Sequence, residues 1–266
     1  MMQTSIRTAA LGLFLSAIAA TASAQTEYSR RVTGSMEVSA AGQVLTYTMQ
    51  PAGAPAIDQS LGNLVESWRF RPLPGGRPVQ VEFTLTLMRA SLEERSFTLK
   101  RVEFFPQGAQ PAARGAGADD QAYCRQADAA PRTDVICPAV LPSDPALAAM
   151  PVNAEAYIAL RKTDSGAEAV LDGLYLYGPQ NGKLLNRAVN VGKQHFAPAA
   201  LAWANKNALA LLQGREYFQT RVEFVQANNT LPWRRQEKVQ ADTADWLTEA
   251  VRAKTVYVSQ GGLELQ

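Results

Sequence analysis

The chain has 266 residues, 47% of them hydrophobic, with 26 Lys and Arg against 24 Asp and Glu and a formal net charge of +2. That length suits two small domains better than one, and the near-balanced, intermixed charge excludes the long-range basic field that nucleic-acid binding uses. Past the N-terminal segment, no stretch reaches the ~18 apolar residues of a spanning helix.

Residues 1–24 read as a signal peptide. Arg7 supplies the positive region, Thr8 to Thr21 is apolar and small around Leu11-Gly12-Leu13-Phe14-Leu15, and Ala22-Ser23-Ala24 before Gln25 fits a small-x-small cleavage site. No Cys follows that site, which argues against a lipid anchor. The expectation is export, cleavage after Ala24, and a mature chain with no integral membrane span.

Residues 25–105 form the first expected domain. Gln25 to Arg31 reads as a short polar lead. Val32 to Gln50 reads as a hairpin: Met36 and Val38 alternate before the turn at Ala40-Ala41-Gly42-Gln43, and Leu45, Tyr47 and Met49 alternate after it. Pro51 to Pro55 breaks the strand. Ile57, Leu61, Leu64, Val65 and Trp68 then share one face of a 3.6-residue period, with Pro55 suited to the first turn and Asp58 to the positive end of the helix dipole. Arg71 precedes Pro72 and so leaves the helix. In Val79 to Leu87, residues Val81, Phe83, Leu85 and Leu87 face one way and Glu82, Thr84 and Thr86 the other, the pattern of a strand with one buried and one wet face. A further strand is expected over Ser96 to Phe105. The fold class is α+β: a small antiparallel sheet with a helix laid on it.

Residues 106–150 lose all periodicity and are rich in Pro, Ala, Gly and Asp, as a linker is. They hold both cysteines, Cys124 and Cys137. In an exported chain an even cysteine count reads as a disulfide, and a loop this short would add about 3 kcal/mol in the chain-entropy model.

Residues 151–266 repeat the order of the first half loosely. Strands are expected at Tyr157 to Leu160 and Val170 to Tyr177, with a turn at Asp164-Ser165-Gly166. A helix follows over Phe196 to Leu212, opened by Pro198 and closed by Gly214, and then a strand at Tyr217 to Val225. Trp203 holds the place of Trp68, and Arg101-Val102-Glu103-Phe104 recurs as Arg221-Val222-Glu223-Phe224, although a four-residue match is short. The reading is a second α+β domain, with a degenerate copy of the first as one form of it. Thr243 to Lys254 reads as a C-terminal helix capped by Asp242 or Thr243, and Thr255 to Ser259 as a terminal strand.

Gly42-Gln43-Val44, Trp68-Arg69-Phe70-Arg71-Pro72 and the run from Gly75 to Leu87 resemble the TonB C-terminal domain, over about residues 34–89. The resemblance implies a periplasmic location and a final strand whose edge takes up a short peptide of an outer-membrane receptor. On this chain that assigns Val81, Glu82, Phe83, Thr84, Leu85 and Thr86 to partner binding by strand addition. The chain departs from the family in lacking an uncleaved anchor and a long Pro-rich spacer, in having Tyr28-Ser29 where Tyr-Pro is usual, and in carrying a strand at 96–105 that could cover the edge. Energy transduction is therefore not implied.

Enzyme chemistry finds little footing. His195 is the only imidazole and reads as a solvent-exposed residue near a helix start; no nucleophile elbow, phosphate loop or HExxH motif is present. Asp119-Asp120 and Glu93-Glu94 read as solvated acids, Trp68 as core, and Trp233-Arg234-Arg235 as a loop with a cation–π alternative. Arg69, Arg71 and Arg77 read as flanking the hinge, with an anion patch as the alternative. Asn228-Asn229-Thr230 matches a glycosylation acceptor. The expected function is a periplasmic protein-binding or scaffold module of the envelope, with no catalytic residues, metal or cofactor and with an envelope protein or peptide as partner. The alternatives are an exported enzyme whose site lies in the second half, and a purely structural envelope protein.

Overall fold

In each half of the chain a hairpin is followed by a helix, and the next strand returns to pair with the hairpin's first member. This is seen in a computed structural model that describes residues 25–73, 75–94, 96–106, 153–178, 186–224, 233–259 and 263–266. The signal segment, both cysteines, Asp119-Asp120 and Asn228-Asn229-Thr230 lie outside the described residues.

The first half contains β1 (Gln25–Val38), β2 (Val44–Met49), α1 (Pro55–Ser67), β3 (Val79–Arg89) and β4 (Thr98–Pro106). The second contains β5 (Asn153–Thr163), β6 (Gly166–Tyr177), α2 (Asn186–Leu212), β7 (Tyr217–Phe224), β8 (Arg234–Gln240), α3 (Glu249–Thr255) and β9 (Tyr257–Ser259). The protein is α+β, with one mostly antiparallel sheet ordered β7-β5-β6-β8-β1-β3-β4-β9 and β2 beside β1. The pairings β2–β1–β3 and β6–β5–β7 match each other. The sheet is continuous across the halves because Gln25 to Ser29 of β1 pair with β8. The polar lead of the sequence is thus the first five residues of a long strand.

Two apolar cores lie on the outer face of this sheet. In the first, Ile57, Leu61, Val65 and Trp68 pack on Val32, Met36, Val38, Val81, Phe83, Leu85, Leu87, Val102 and Phe104. Trp68 stands edge-on to Phe83 at 5.4 Å and to Phe104 at 4.8 Å, so it is a core residue. The Asp58 carboxylate accepts the Ala52 N–H and ties the loop before α1 to its first turn. Gly34 lets the Phe83 ring cross β1, since a Cβ there would sit 2.3 Å from it. Gly42, at φ +84°, lets Phe70 reach the hairpin turn, where the Phe70 N–H donates to the Gly42 carbonyl at 2.8 Å.

In the second core, Ala197, Ala200, Ala204, Ala208 and Leu211 of α2 meet Ala154, Ala156, Ile158, Leu160, Leu174, Leu176, Val222 and Phe224. α2 begins ten residues before the expected Phe196, and Pro198 lies inside it rather than at its start. Gln213 and Gly214, at φ 48° and 82°, end it. Trp203 therefore sits mid-helix, whereas Trp68 follows α1. The C-terminal helix is shorter than expected: 243–248 is loop, and Thr248 caps α3 by accepting the Val251 N–H at 3.3 Å.

β3 has no open edge. Val81 to Met88 pair with β1 on one side and β4 on the other. The expected strand addition at Val81, Glu82, Phe83, Thr84, Leu85 and Thr86 is corrected accordingly: the backbone groups a peptide would use are already bonded within the sheet.

Candidate functional site: a buried ionic layer and the open sheet edges

The residues alternating with the apolar ones point to the other face of the sheet. Strands from opposite ends of the strand order meet there, so the sheet rolls with its polar face inward. Arg101 of β4 donates through Nη1 to the Gln219 carbonyl of β7 at 2.5 Å, and Lys100 Nζ lies 2.8 Å from Asp172 of β6. Arg31 of β1 reaches Glu155 at 2.7 Å and Glu223 at 2.9 Å through the same nitrogen. Arg234 of β8 meets Glu155 at 2.6 Å, and the Tyr157 and Tyr177 hydroxyls donate to Glu155 and Glu223 at 3.1 and 3.2 Å.

Glu103 has Arg101 at 3.0 Å and Arg221 at 3.8 Å. Asp172 is held by Lys100, by Gln219 and by Arg252 of α3. The layer is dry for a set of charges: Arg101 and Glu155 are wholly buried. Nη2 of Arg101 and Nη1 of Arg221 have no hydrogen-bond partner among the described residues.

Burial acts most strongly on each of these groups and opposes its charge, and the partners decide the outcome. For Glu155, burial would raise the carboxyl, but Arg234 and Arg31 hold it well below the usual carboxylate range. Glu103 is likewise lowered by Arg101 and Arg221 against burial, and Asp172 by Lys100 and Arg252. Burial pushes Tyr157, Tyr175 and Tyr177 up, with Glu155, Glu27 and Glu223 adding to it respectively. Burial lowers Arg101 from its ordinary value. A general acid or base works best when its pKa lies near the ambient pH. These carboxylates stay ionised and these phenols stay protonated. The layer ties strands from both halves together: β1 and β8 to β5, and β4 to β6.

The sequence-predicted candidates are scattered. His195 sits within α2, which packs on the face of the sheet opposite Glu155 and Glu223. It is half-buried, not exposed, and mid-helix, not near a start. Glu94 is a loop cap, accepting from Ala90 N at 2.9 Å and Ser96 Oγ at 2.6 Å. Arg69 donates to the Glu66 and Trp68 carbonyls, and Arg71 pairs with Glu264 at 2.6 Å, so both are committed beside the hinge. Trp233 lies under Arg89 at 3.8 Å, while Arg234 belongs to β8 and the ionic layer rather than to a loop. Among the described residues no group of His, Cys, Asp and Glu could hold a metal, and no helix is long and apolar enough to cross a membrane.

Two clefts among the described residues stand out, the first of them beside Lys100 of the layer. One of about 460 Å³ is lined by Glu27, Met88, Arg89, Phe97, Lys100 and Tyr175, among others. Another, of about 510 Å³, lies where the ends of the sheet approach, beside Arg215, Tyr217, Tyr257, Ser259 and Leu263. Neither is lined by His195.

The ends of the sheet differ as binding edges. Lys162 N–H donates to Glu216 O at 2.8 Å, so alternation turns the backbone of Tyr217, Gln219, Arg221 and Glu223 outward on β7. Arg101 takes up the Gln219 carbonyl there. β9 has only three residues, and Arg215 Nη2 donates to its Ser259 carbonyl at 3.2 Å. β2 is different: among the described residues Leu45 to Met49 pair with β1 alone, while Gln43 just before them bridges Arg69, and Val44-Leu45-Thr46-Tyr47-Thr48-Met49 carry no charge.

No family model, no curated protein and no solved structure matches this chain.

Proposed function

We propose that this chain is an exported protein-binding or scaffold module of the bacterial envelope, TonB-like in its first half and without energy transduction of its own. The observation that carries the reading is the uncharged run Leu45 to Met49 of β2, which among the described residues pairs with β1 alone. Open backbone N–H and C=O groups on such an edge give affinity to an extended partner, and alternate side chains select it. Three further observations support the reading. The Trp68–Pro72 hinge lies between α1 and β3, as the resemblance implies. The matched β2–β1–β3 and β6–β5–β7 pairings favour two related units. The ionic layer is occupied in joining those units and leaves binding to the rim. The Arg-Val-Glu-Phe match does not add to the case for duplication, because it falls on β4 in one half and β7 in the other, which are not equivalent positions.

Location is tested separately from binding. Intact mass of the exported protein should begin at Gln25, and thiol alkylation before reduction should find Cys124 and Cys137 unreactive. For binding, a photo-cross-linking residue at Leu45 should give adducts in intact envelopes, and one at Glu82, on the doubly paired β3, should not. Adducts at neither position, together with turnover of a substrate by the pure protein, would replace this reading with the enzymatic one.

A further inference from the structure

We propose that the ionic layer holds a small monovalent anion, of the class of chloride, between the guanidiniums of Arg101 and Arg221.

The sign of the ligand follows from how the charges are shared. Arg31 and Arg234 share two carboxylates, Glu155 and Glu223. Lys100 and Arg252 share one, Asp172, but their side chains are 16% and 45% exposed, so solvent ions balance the excess there. Arg101 and Arg221 also share one, Glu103, at 3.0 and 3.8 Å, and their side chains are 0% and 5% exposed. Glu223 and Glu155 face Arg221 too, but both are already held by Arg31 and Arg234. Two buried cations on one carboxylate leave a positive charge that water does not reach, and such a charge is costly until it is paired. Arg101 registers the shortfall: burial lowers it, Glu103 raises it, and Arg221 lowers it again.

Unused donors mark the place. Arg101 Nη1 donates to the Gln219 carbonyl at 2.5 Å, and Gln219 lies two residues before Arg221 on the same face of β7. The two guanidiniums therefore stand side by side against Glu103. Nη2 of Arg101 and both Nε and Nη1 of Arg221 are buried with no hydrogen-bond partner among the described residues. A water would take up these donors and could give a hydrogen to the unpartnered Gln219 Oε1, but it would leave the charge in place. An anion answers both. Neither of the two clefts is lined by Arg101 or Arg221, which leaves no room for phosphate or a larger acid. A monatomic ion needs only a small adjustment of two long side chains. Because β4 and β7 come from different halves of the chain, the ion is held only when the halves have met.

The test uses the mature chain, residues 25–266. At fixed ionic strength, replacing gluconate by chloride should raise the melting midpoint by about 3–5 °C for each tenfold of chloride above its dissociation constant. Bromide should do the same. Arg221→Met leaves Arg101 and Glu103 as a matched pair and should lose the dependence, whereas Arg71→Met, on the exposed pair with Glu264, should keep it. Crystals of the unaltered chain grown in bromide should show an anomalous peak within hydrogen-bond reach of both guanidiniums. Equal midpoints in chloride and gluconate overturn the proposal, as does a folded Arg221→Met that keeps the dependence. A map with only water or side chains between Arg101 and Arg221 also overturns it. A bromide peak without a chloride-dependent midpoint means an adventitious ion only, and overturns it too. If Arg221→Met does not fold, the midpoints and the bromide map of the unaltered chain decide.

Discussion

The two faces of the sheet are built on opposite principles. The outer face is held by volume: Trp68 between Phe83 and Phe104, or the alanine row of α2 against β5 and β6. The inner face is held by a charge set in which each carboxylate has two cationic partners. An apolar core tolerates substitution when volume is kept. A buried ion set tolerates it when charge is kept balanced, and loses most when one member goes alone. The second kind of contact adds little net stability but fixes which face meets which.

The largest expected effect lies on the outer face. Trp68→Ala should cost about 3–5 kcal/mol in chemical denaturation, by lost transfer energy and the cavity left beside Phe83 and Phe104. A loss under ~1 kcal/mol would mean that the first core is not closed around this ring.

On the inner face, Glu155→Gln should cost about 3 kcal/mol, because the half-buried Arg31 and Arg234 are left with one carboxylate between them. Replacing Arg31, Arg234, Glu155 and Glu223 together with apolar residues of similar size should recover most of that loss. If the fourfold variant is less stable than the single one, the layer is stabilising outright and the contrast between the faces is smaller than drawn.

Acid should separate the faces without mutation. The folded pKa values of Glu155, Glu103 and Asp172 are depressed, so their contribution is complete above the unfolded values of about 4 and is lost as pH falls through the folded ones. Denaturation midpoints should therefore be flat from neutrality to about pH 5 and fall below it, with a shallower fall in Glu155→Gln.

The smallest effect should come from an ion pair of the same chemistry at the surface. Arg71 and Glu264 stand 2.6 Å apart but are 70% and 53% exposed. Arg71→Ala should change stability by less than about 1 kcal/mol, and added salt should erase even that.

The sequence makes one of these faces readable and hides the other. α1 and β3 follow from spacing alone, because each buries one apolar stripe against a helix or a sheet. β8 does not. Arg234-Arg235-Gln236-Glu237-Lys238-Val239-Gln240 has one apolar residue, since Arg234 and Gln236 turn into the ionic layer, and a strand facing charge leaves no hydrophobic period. The signal that could have found the layer was present twice. In Arg101-Val102-Glu103-Phe104 and Arg221-Val222-Glu223-Phe224, charged residues alternate with core residues. Such alternation normally marks a wet face; only the meeting of β4 and β7, distant in sequence, makes that face dry. Pro198 misled in the other direction, because a proline suited to a helix start is carried here within a helix that packing on the sheet holds together.

The pairing of Gln25 to Ser29 with β8 sets the order in which the chain can become whole. The residues that open β1 find their ladder partners in β8, far along the chain, so the nascent chain carries an incomplete strand through most of its elongation. A high contact order of this kind slows folding and exposes an unpaired edge meanwhile. It also denies the first half an independent life: cut after Pro106, it would keep α1 and its apolar core but present Arg31 without Glu155 and Glu223, and Arg101 without the Gln219 carbonyl. Assembly should therefore be a single late event, with a long window in which a chaperone could hold the chain open.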